Sequence, residues 1–174
     1  MCQVSGTVAE RTSLFRSQVE NRRLNEGTLQ ILESVLTSKD VKSLLEIRSC
    51  LSEFVRSELA YILQEIAEKT VEQKLSVLEF FVRTFALVGH VESCLMLRYE
   101  ALILRQHKST THLWLHVSYE EWLAFAERSL NNGFYSIAVK IVVGVVDMQK
   151  LELNPSMTVD RAIQRTKTCA ADPL

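Results

Sequence analysis

Few residues of this chain have the types and spacing that chemistry requires. Of its four histidines, His107, His112 and His116 fall in one polar stretch. No two of them have the HExxH-type spacing that places two metal ligands on one helix face. Histidines in such a loop usually face solvent, so no metal site is predicted. His90 directly follows a glycine and is predicted to be a turn residue rather than a general base.

Acid–base and nucleophilic catalysis find no better support. Glu120 and Glu121 are adjacent, and adjacent side chains diverge by about 100° around a helix, which separates the two carboxylates. The chain has no Gly-rich phosphate loop and no GxSxG motif. Its cysteines are scattered without a CxxC pair, which is typical of reduced thiols in the cytosol or nucleus: Cys2, Cys50, Cys94 and Cys169. The sequence therefore predicts a protein that is not an enzyme, with no catalytic residue, no cofactor and no small-molecule substrate.

Two stretches carry the same signal for the start of a helix. Thr70 and Gln73 have the spacing of a capping box, in which the threonine oxygen accepts from a first-turn amide and the glutamine reaches back to the amide of the cap. Ser118 and Glu121 repeat this spacing, and Trp122 follows as the first residue of a predicted buried stripe. We therefore expect one helix to begin after Thr70 and another after Ser118.

Gly89 and Gly133 are predicted to be the hinges of two helix–turn–helix units. Glycine adopts the positive φ that ends a helix at little steric cost. When the two glycines are superimposed, one bulky and two small positions coincide: Leu78 with Trp122, Val82 with Ala126, and Cys94 with Ala138. The pattern is similar to that of tetratricopeptide repeats, although an ordinary antiparallel helical bundle is an equally open alternative.

Composition and length favour one all-α domain. The chain has 174 residues, of which five are glycine and two are proline, and such scarcity suits long helices with short connections. We expect a disordered N-terminus over residues 1–12, one domain of stacked helical hairpins over 13–151, and a polar tail over 152–174 with at most one short helix. The first helix is predicted to begin at Ser13, and Gly27 is predicted to separate it from the second.

The surface is predicted to serve protein partners. The formal net charge is −1 and basic residues alternate with acidic ones, so direct DNA contact is not expected. No apolar run is long enough to span a membrane. Aromatic residues dominate binding hot spots, which makes Tyr61, Trp114 and Tyr119 the candidate partner-binding residues, whereas Tyr135 is expected in the core.

Longer stretches resemble a plant family of meiotic proteins called Double-strand break formation. The stretches that carry the resemblance are SLFRSQVENRR, LQILESVLTSKDVKSLLEIRSCL, EFFVRTFALVGHVESCLMLRYEAL and YEEWLAFAERSLNNGFYSIA. Together they span about residues 1–140. The resemblance implies a nuclear, non-catalytic accessory protein that is needed for programmed DNA breaks at the start of meiotic recombination. It implies partners among the proteins of the break machinery, in which a separate topoisomerase-like nuclease cuts the DNA.

The chain departs from this family pattern after about Lys140. Gly144 lies in an apolar run and a polar tail follows, which suggests an alternative or truncated C-terminus. We expect the last hairpin to leave an apolar edge exposed. The alternative to the meiotic role is a general tetratricopeptide-like adaptor without any function in meiosis.

Overall fold

The computed structural model describes residues 3–37 and 41–152, and the side chains of 8–37 and 44–144. These described residues form seven α-helices and one 3-10 turn without a strand, so the predicted all-α class is confirmed. The helices are α1 (Gln3–Glu20), α2 (Glu26–Leu36), α3 (Val41–Glu65), α4 (Val71–Val88), α5 (Val91–Lys108), α6 (Tyr119–Asn131) and α7 (Tyr135–Glu152). The predicted tail lies outside the described residues from position 153 onward.

The chain forms two compact units, where the sequence predicted a single domain. The first unit is Met1–Leu104 and the second is Arg105–Leu174. In the first unit, α2 packs against α1, α3 and α4, and α3 also packs against α1 and α4. In the second unit, α6 and α7 form a closely packed antiparallel hairpin about Gly133.

The core of the first unit centres on α4. This helix is apolar nearly all round, as its sequence indicates, and such a helix must be covered on several sides. Its buried residues accordingly occupy more than one face: Leu78, Phe80, Phe81, Val82, Thr84, Phe85 and Val88. The Phe80 and Phe81 rings meet edge to face with centroids 5.3 Å apart. Buried residues of α1, α2 and α3, among them Phe15, Leu32 and Val55, complete the same cluster.

The two hinge glycines adopt the same turn. Gly89 has φ 86° and Gly133 has φ 82°. After α4, the His90 amide donates to the Phe85 carbonyl over 2.9 Å and the Gly89 amide donates to Ala86 over 3.2 Å. The amides of Phe134 and Gly133 make the equivalent bonds to the Ser129 and Leu130 carbonyls after α6, both over 2.9 Å. Both turns are therefore Schellman motifs, which satisfy the last carbonyls of each helix.

A third turn of this kind has no glycine and was not predicted. The Arg22 amide donates to Val19 over 2.9 Å, the Arg23 amide donates to Gln18 over 2.9 Å, and Arg22 has φ 59°. A left-handed conformation costs a non-glycine residue about 1–2 kcal/mol. The Arg22 guanidinium offsets this cost by pairing with two carboxylates of α3, Glu58 at 2.9 Å and Glu65 at 2.8 Å.

Three further predictions about the elements differ from the structure. α1 begins at Gln3 rather than Ser13, so residues 3–12 are helical where disorder was predicted. Gly27 lies inside α2, because the Asn25 side chain accepts from the Thr28 amide and caps the helix before Gly27. α3 is one continuous helix through Glu65. In addition, α4 packs most closely against α2 and α3 rather than against α5, its expected hairpin partner.

The positive φ of Gly133 gives a direct test of the second hairpin. A Cβ at Gly133 meets no atom within 4 Å, so Gly133→Ala adds only backbone strain and should lower the free energy of unfolding by about 1–2 kcal/mol. Gly144 also has open space around its Cβ but lies inside α7. Gly144→Ala should therefore raise the free energy of unfolding by about 0.5–1 kcal/mol. Urea denaturation of both variants measures the two changes, and changes of the same sign would contradict the assigned backbone.

Candidate partner-binding surface

The connection between α5 and α6 presents two apolar side chains to solvent. After α5 ends at Lys108, the chain forms a 3-10 turn over Leu113–Leu115. Leu113 and Trp114 are 87% and 62% exposed, whereas Leu115 and Val117 are buried. The buried pair anchors the connection and leaves the other two side chains outside. We call Leu113 and Trp114 the exposed tip.

One arginine holds this connection in place. Arg105, near the end of α5, donates to both carboxylate oxygens of Glu121, over 2.7 and 3.2 Å, and to the His116 carbonyl over 3.2 Å. The capping box of α6 shares the same carboxylate, because Glu121 also accepts from the Ser118 amide over 3.0 Å and its own amide donates to the Ser118 hydroxyl over 3.3 Å. Glu121 therefore joins the end of α5, the connection and the start of α6. We call the contacts of Arg105 with Glu121 and His116 the Arg105 clamp.

These contacts also set the ionisation of Glu121. The hydrogen bond from Arg105 lowers the pKa of its carboxyl group, and the bond from the Ser118 backbone acts in the same direction. The lowered pKa means that the charged carboxylate, which the clamp requires, persists below the usual pH range of a glutamate.

The three aromatic residues predicted to bind partners lie in different places. Trp114 and Tyr119 are at the two ends of the same short connection in the second unit, where Tyr119 is half-buried at the start of α6. Tyr61 lies on α3 in the first unit and is 60% exposed. Trp122 is buried, as its stripe predicted. Among the superimposed repeat positions, Leu78 is buried like Trp122, but Cys94 is only half-buried whereas Ala138 is fully buried.

The outer face of α7 carries an apolar strip that begins at Tyr135. Tyr135 was expected in the core but is 48% exposed. It shares a helix face with Val139 and Val143, at i, i+4 and i+8, and both valines are exposed. The opposite face carries the buried residues Ala138, Ile141 and Val142. The spacing was visible in the sequence, but which of two apolar faces packs against α6 was not.

The residues considered for chemistry remain apart. His107, His112 and His116 are exposed, and no three His, Cys, Asp or Glu side chains of residues 8–37 and 44–144 are grouped as a metal site. The described helices include none with the length and apolarity to cross a membrane. Cys50 is exposed and lies 2.8 Å from the Arg16 guanidinium. The sequence reading also missed a basic cleft on α3, because it treated the arginines of this helix as a solvated face.

Comparison with known proteins confirms the resemblance. The chain is 53% identical over 133 residues to "Protein DOUBLE-STRAND BREAK FORMATION" from Arabidopsis thaliana. The match covers 76% of this chain and 57% of the relative, so it spans little more than half of that protein's length. No protein-family model and no solved structure matches the chain.

The two tryptophans of the second unit should respond differently to removal. Trp122→Ala should lower the free energy of unfolding by about 3–5 kcal/mol, because it empties a buried site. Trp114→Ala should change it by less than about 0.5 kcal/mol, because that side chain is mostly in water. Chemical denaturation of the two variants measures both values. A large loss for Trp114→Ala would mean that the exposed tip is part of the fold rather than free surface.

The clamp predicts a pH dependence of stability. Because its folded pKa is lowered, Glu121 contributes stability above its ordinary value near 4.5, and this contribution is lost as pH falls through the folded pKa. Arg105→Met should therefore destabilise the protein at pH 7 by at most about 1 kcal/mol, since the pair is partly exposed. The difference from the native protein should shrink in acid. Glu121→Gln keeps an acceptor for the cap but has no titrating group. If the effect of Arg105→Met still shrinks in acid when it is measured in a Glu121→Gln background, Glu121 is excluded as the source of the pH dependence.

Proposed function

From its similarity to Double-strand break formation, we propose that this chain is an accessory protein required to form programmed DNA double-strand breaks at the initiation of meiotic recombination. The observation that carries the proposal is the 53% identity over 133 residues. At such identity the buried and exposed positions of two chains are expected to correspond over the matched region. The name of the relative describes a process rather than a reaction, which favours an accessory factor over a catalyst.

The chain performs this role as a scaffold that contacts other proteins of the break machinery in the nucleus. Support for the scaffold comes from surface that folding leaves uncovered: the exposed tip, Tyr61, and the outer strip of α7. Aromatic side chains such as Trp114 supply large contact area at low entropic cost, which is why they concentrate at binding hot spots. The Arg105 clamp strengthens this assignment, because a held connection loses less conformational entropy when a partner binds.

A general helical adaptor without a meiotic role is the second candidate. The feature that favours it is the similar pattern of the two glycine turns, which generic helical repeats also use. It predicts binding partners outside the meiotic machinery and expression in all tissues. Both candidates require a protein-binding surface, so only a meiotic readout separates them.

Genetic rescue tests the proposal. Arabidopsis plants that lack the relative should show unpaired chromosomes without fragments at metaphase I, and expression of this chain in meiotic cells should restore paired chromosomes and prophase break foci. A chain with Leu113→Ser and Trp114→Ser should restore few or none, since the changes remove the exposed tip without emptying the core. A Leu14→Ser variant, also at an exposed apolar position, is the matched control and should rescue fully.

A failed rescue can be interpreted only together with disruption of the gene in its own host. If disruption of the gene in its own host leaves metaphase I chromosomes paired and prophase foci normal, the meiotic role is rejected and the adaptor remains. If the unaltered chain rescues and the tip variant rescues equally well, the scaffold acts through another surface.

A further inference from the structure

A cleft in the first unit gathers positive charge without a carboxylate partner for it. Arg48, Ser52 and Arg56 follow one another at i, i+4 and i+8 along α3 and face the turn of Gly89 and His90. The cleft has a volume of about 330 Å³. His90 directly precedes α5, so the cleft also lies at the N-terminus of that helix, which carries partial positive charge.

The Arg48 guanidinium is held against the turn but incompletely bonded. A Cβ at position 89 would lie 3.0 Å from Arg48 Nη1, so glycine supplies space here as well as a positive φ. Nη1 makes a long hydrogen bond of 3.4 Å to the Val88 carbonyl. Its Nε is buried and has no hydrogen-bond partner. A buried donor without an acceptor is costly, so the contacts of the turn leave the hydrogen-bonding capacity of this guanidinium, which lines the cleft, incompletely filled.

The contact between Arg56 and His90 also lacks a hydrogen-bond acceptor. Arg56 Nη2 lies 2.6 Å from His90 Nε2, while His90 Nδ1 lies 3.3 Å from the Ser93 amide nitrogen. Both neighbours are donors, and a neutral imidazole can accept at only one of its nitrogens. In either tautomer one ring N–H therefore faces another donor. An anionic oxygen beside Nε2 and Nη2 would accept from both and resolve the conflict.

Several arginines outside the cleft pair with carboxylates in the part of the chain that the structure describes. Arg22 bonds Glu58 and Glu65, and Arg83 bonds both carboxylate oxygens of Glu26. Arg48 and Arg56 make no ion pair with any carboxylate of residues 8–37 and 44–144, although Glu53 also lines the cleft and contributes one negative charge. The cleft thus offers two guanidinium groups, an imidazole and a serine hydroxyl to a ligand.

We propose that this cleft binds the phosphate group of a phosphorylated serine or threonine on a protein partner. A phosphate carries close to two negative charges and three acceptor oxygens, which match two arginines and the surrounding donors better than a single carboxylate does. Duplex DNA is a poorer match, because it is held by a row of cations along its backbone and this cleft presents a single pair of arginines. The inference is independent of the meiotic role, since it depends only on the geometry of α3 and the turn.

Binding is tested on the full chain with a fluorescein-labelled mixture of heptapeptides that have phosphoserine at the centre and random flanks. The unphosphorylated mixture is the control, and a 20-base-pair duplex and inorganic phosphate are the alternative probes. Arg48→Gln and Arg56→Gln should each weaken binding about tenfold or more, since each removes charge-assisted hydrogen bonds. Arg11→Gln makes the same charge change at an exposed site outside the cleft and should leave binding unchanged.

His90→Asn is the variant that separates binding from folding. Asparagine keeps an acceptor for the Ser93 amide at the start of α5 but removes the nitrogen that faces Arg56. It should weaken phosphopeptide binding several-fold with an unchanged melting curve. In the native protein, the Arg48 Nε–H resonance should shift on titration with the phosphorylated mixture and remain still with the control.

Three results would overturn the proposal. They are binding of the phosphorylated and unphosphorylated mixtures with equal affinity, an equal loss on Arg11→Gln and Arg48→Gln, and binding of duplex DNA or inorganic phosphate without binding of phosphopeptide. None of these outcomes bears on rescue of meiosis, so the two proposals fail separately.

Discussion

The packing of the first unit depends on the need to cover the apolar helix α4. A helix with buried side chains on several faces cannot lie at a surface, because each exposed apolar side chain would lose about 1.5–3 kcal/mol of transfer free energy. The neighbouring helices α2 and α3 must therefore pack on it. This requirement explains why α4 approaches α2 and α3 more closely than α5, which follows it directly in the chain.

Three turns within the described residues share one backbone geometry and reach it by two different chemistries. At Gly89 and Gly133 the left-handed residue costs little, and the glycine alone specifies the turn. At Arg22 the same hydrogen bonds form around a strained residue, and the ion pairs to Glu58 and Glu65 on α3 hold it. These contacts raise the pKa of the Arg22 guanidinium and lower that of the Glu65 carboxyl, through their mutual hydrogen bonds. The first two turns are therefore local features, whereas the third exists only because α3 lies beside α1.

Two surface regions combine side chains that the fold holds in place with groups that remain open to a partner. Glu121 serves the cap of α6 and the Arg105 clamp together, so the connection that carries the exposed tip has little freedom. In the cleft of α3 the guanidinium of Arg48 is equally confined, yet its hydrogen-bonding capacity is not filled. At both proposed binding surfaces, a group that is open to a partner is held by other contacts of the fold, which lowers the entropic cost of binding.

The sequence alone determined the features that follow from a residue and its near neighbours. The all-α class, the starts of α4 and α6, the turns at Gly89 and Gly133, and the burial of Trp122 all follow from spacings within four residues or from a glycine's backbone freedom. The similarity to Double-strand break formation was likewise readable from running sequence. Tertiary structure decided the turn at Arg22, the exposed face of α7, and the meeting of Arg48 with Gly89. Each of these joins or separates residues that are distant in the chain, and the side chains involved have no preference of their own until the packing of other helices supplies a partner or leaves them in water.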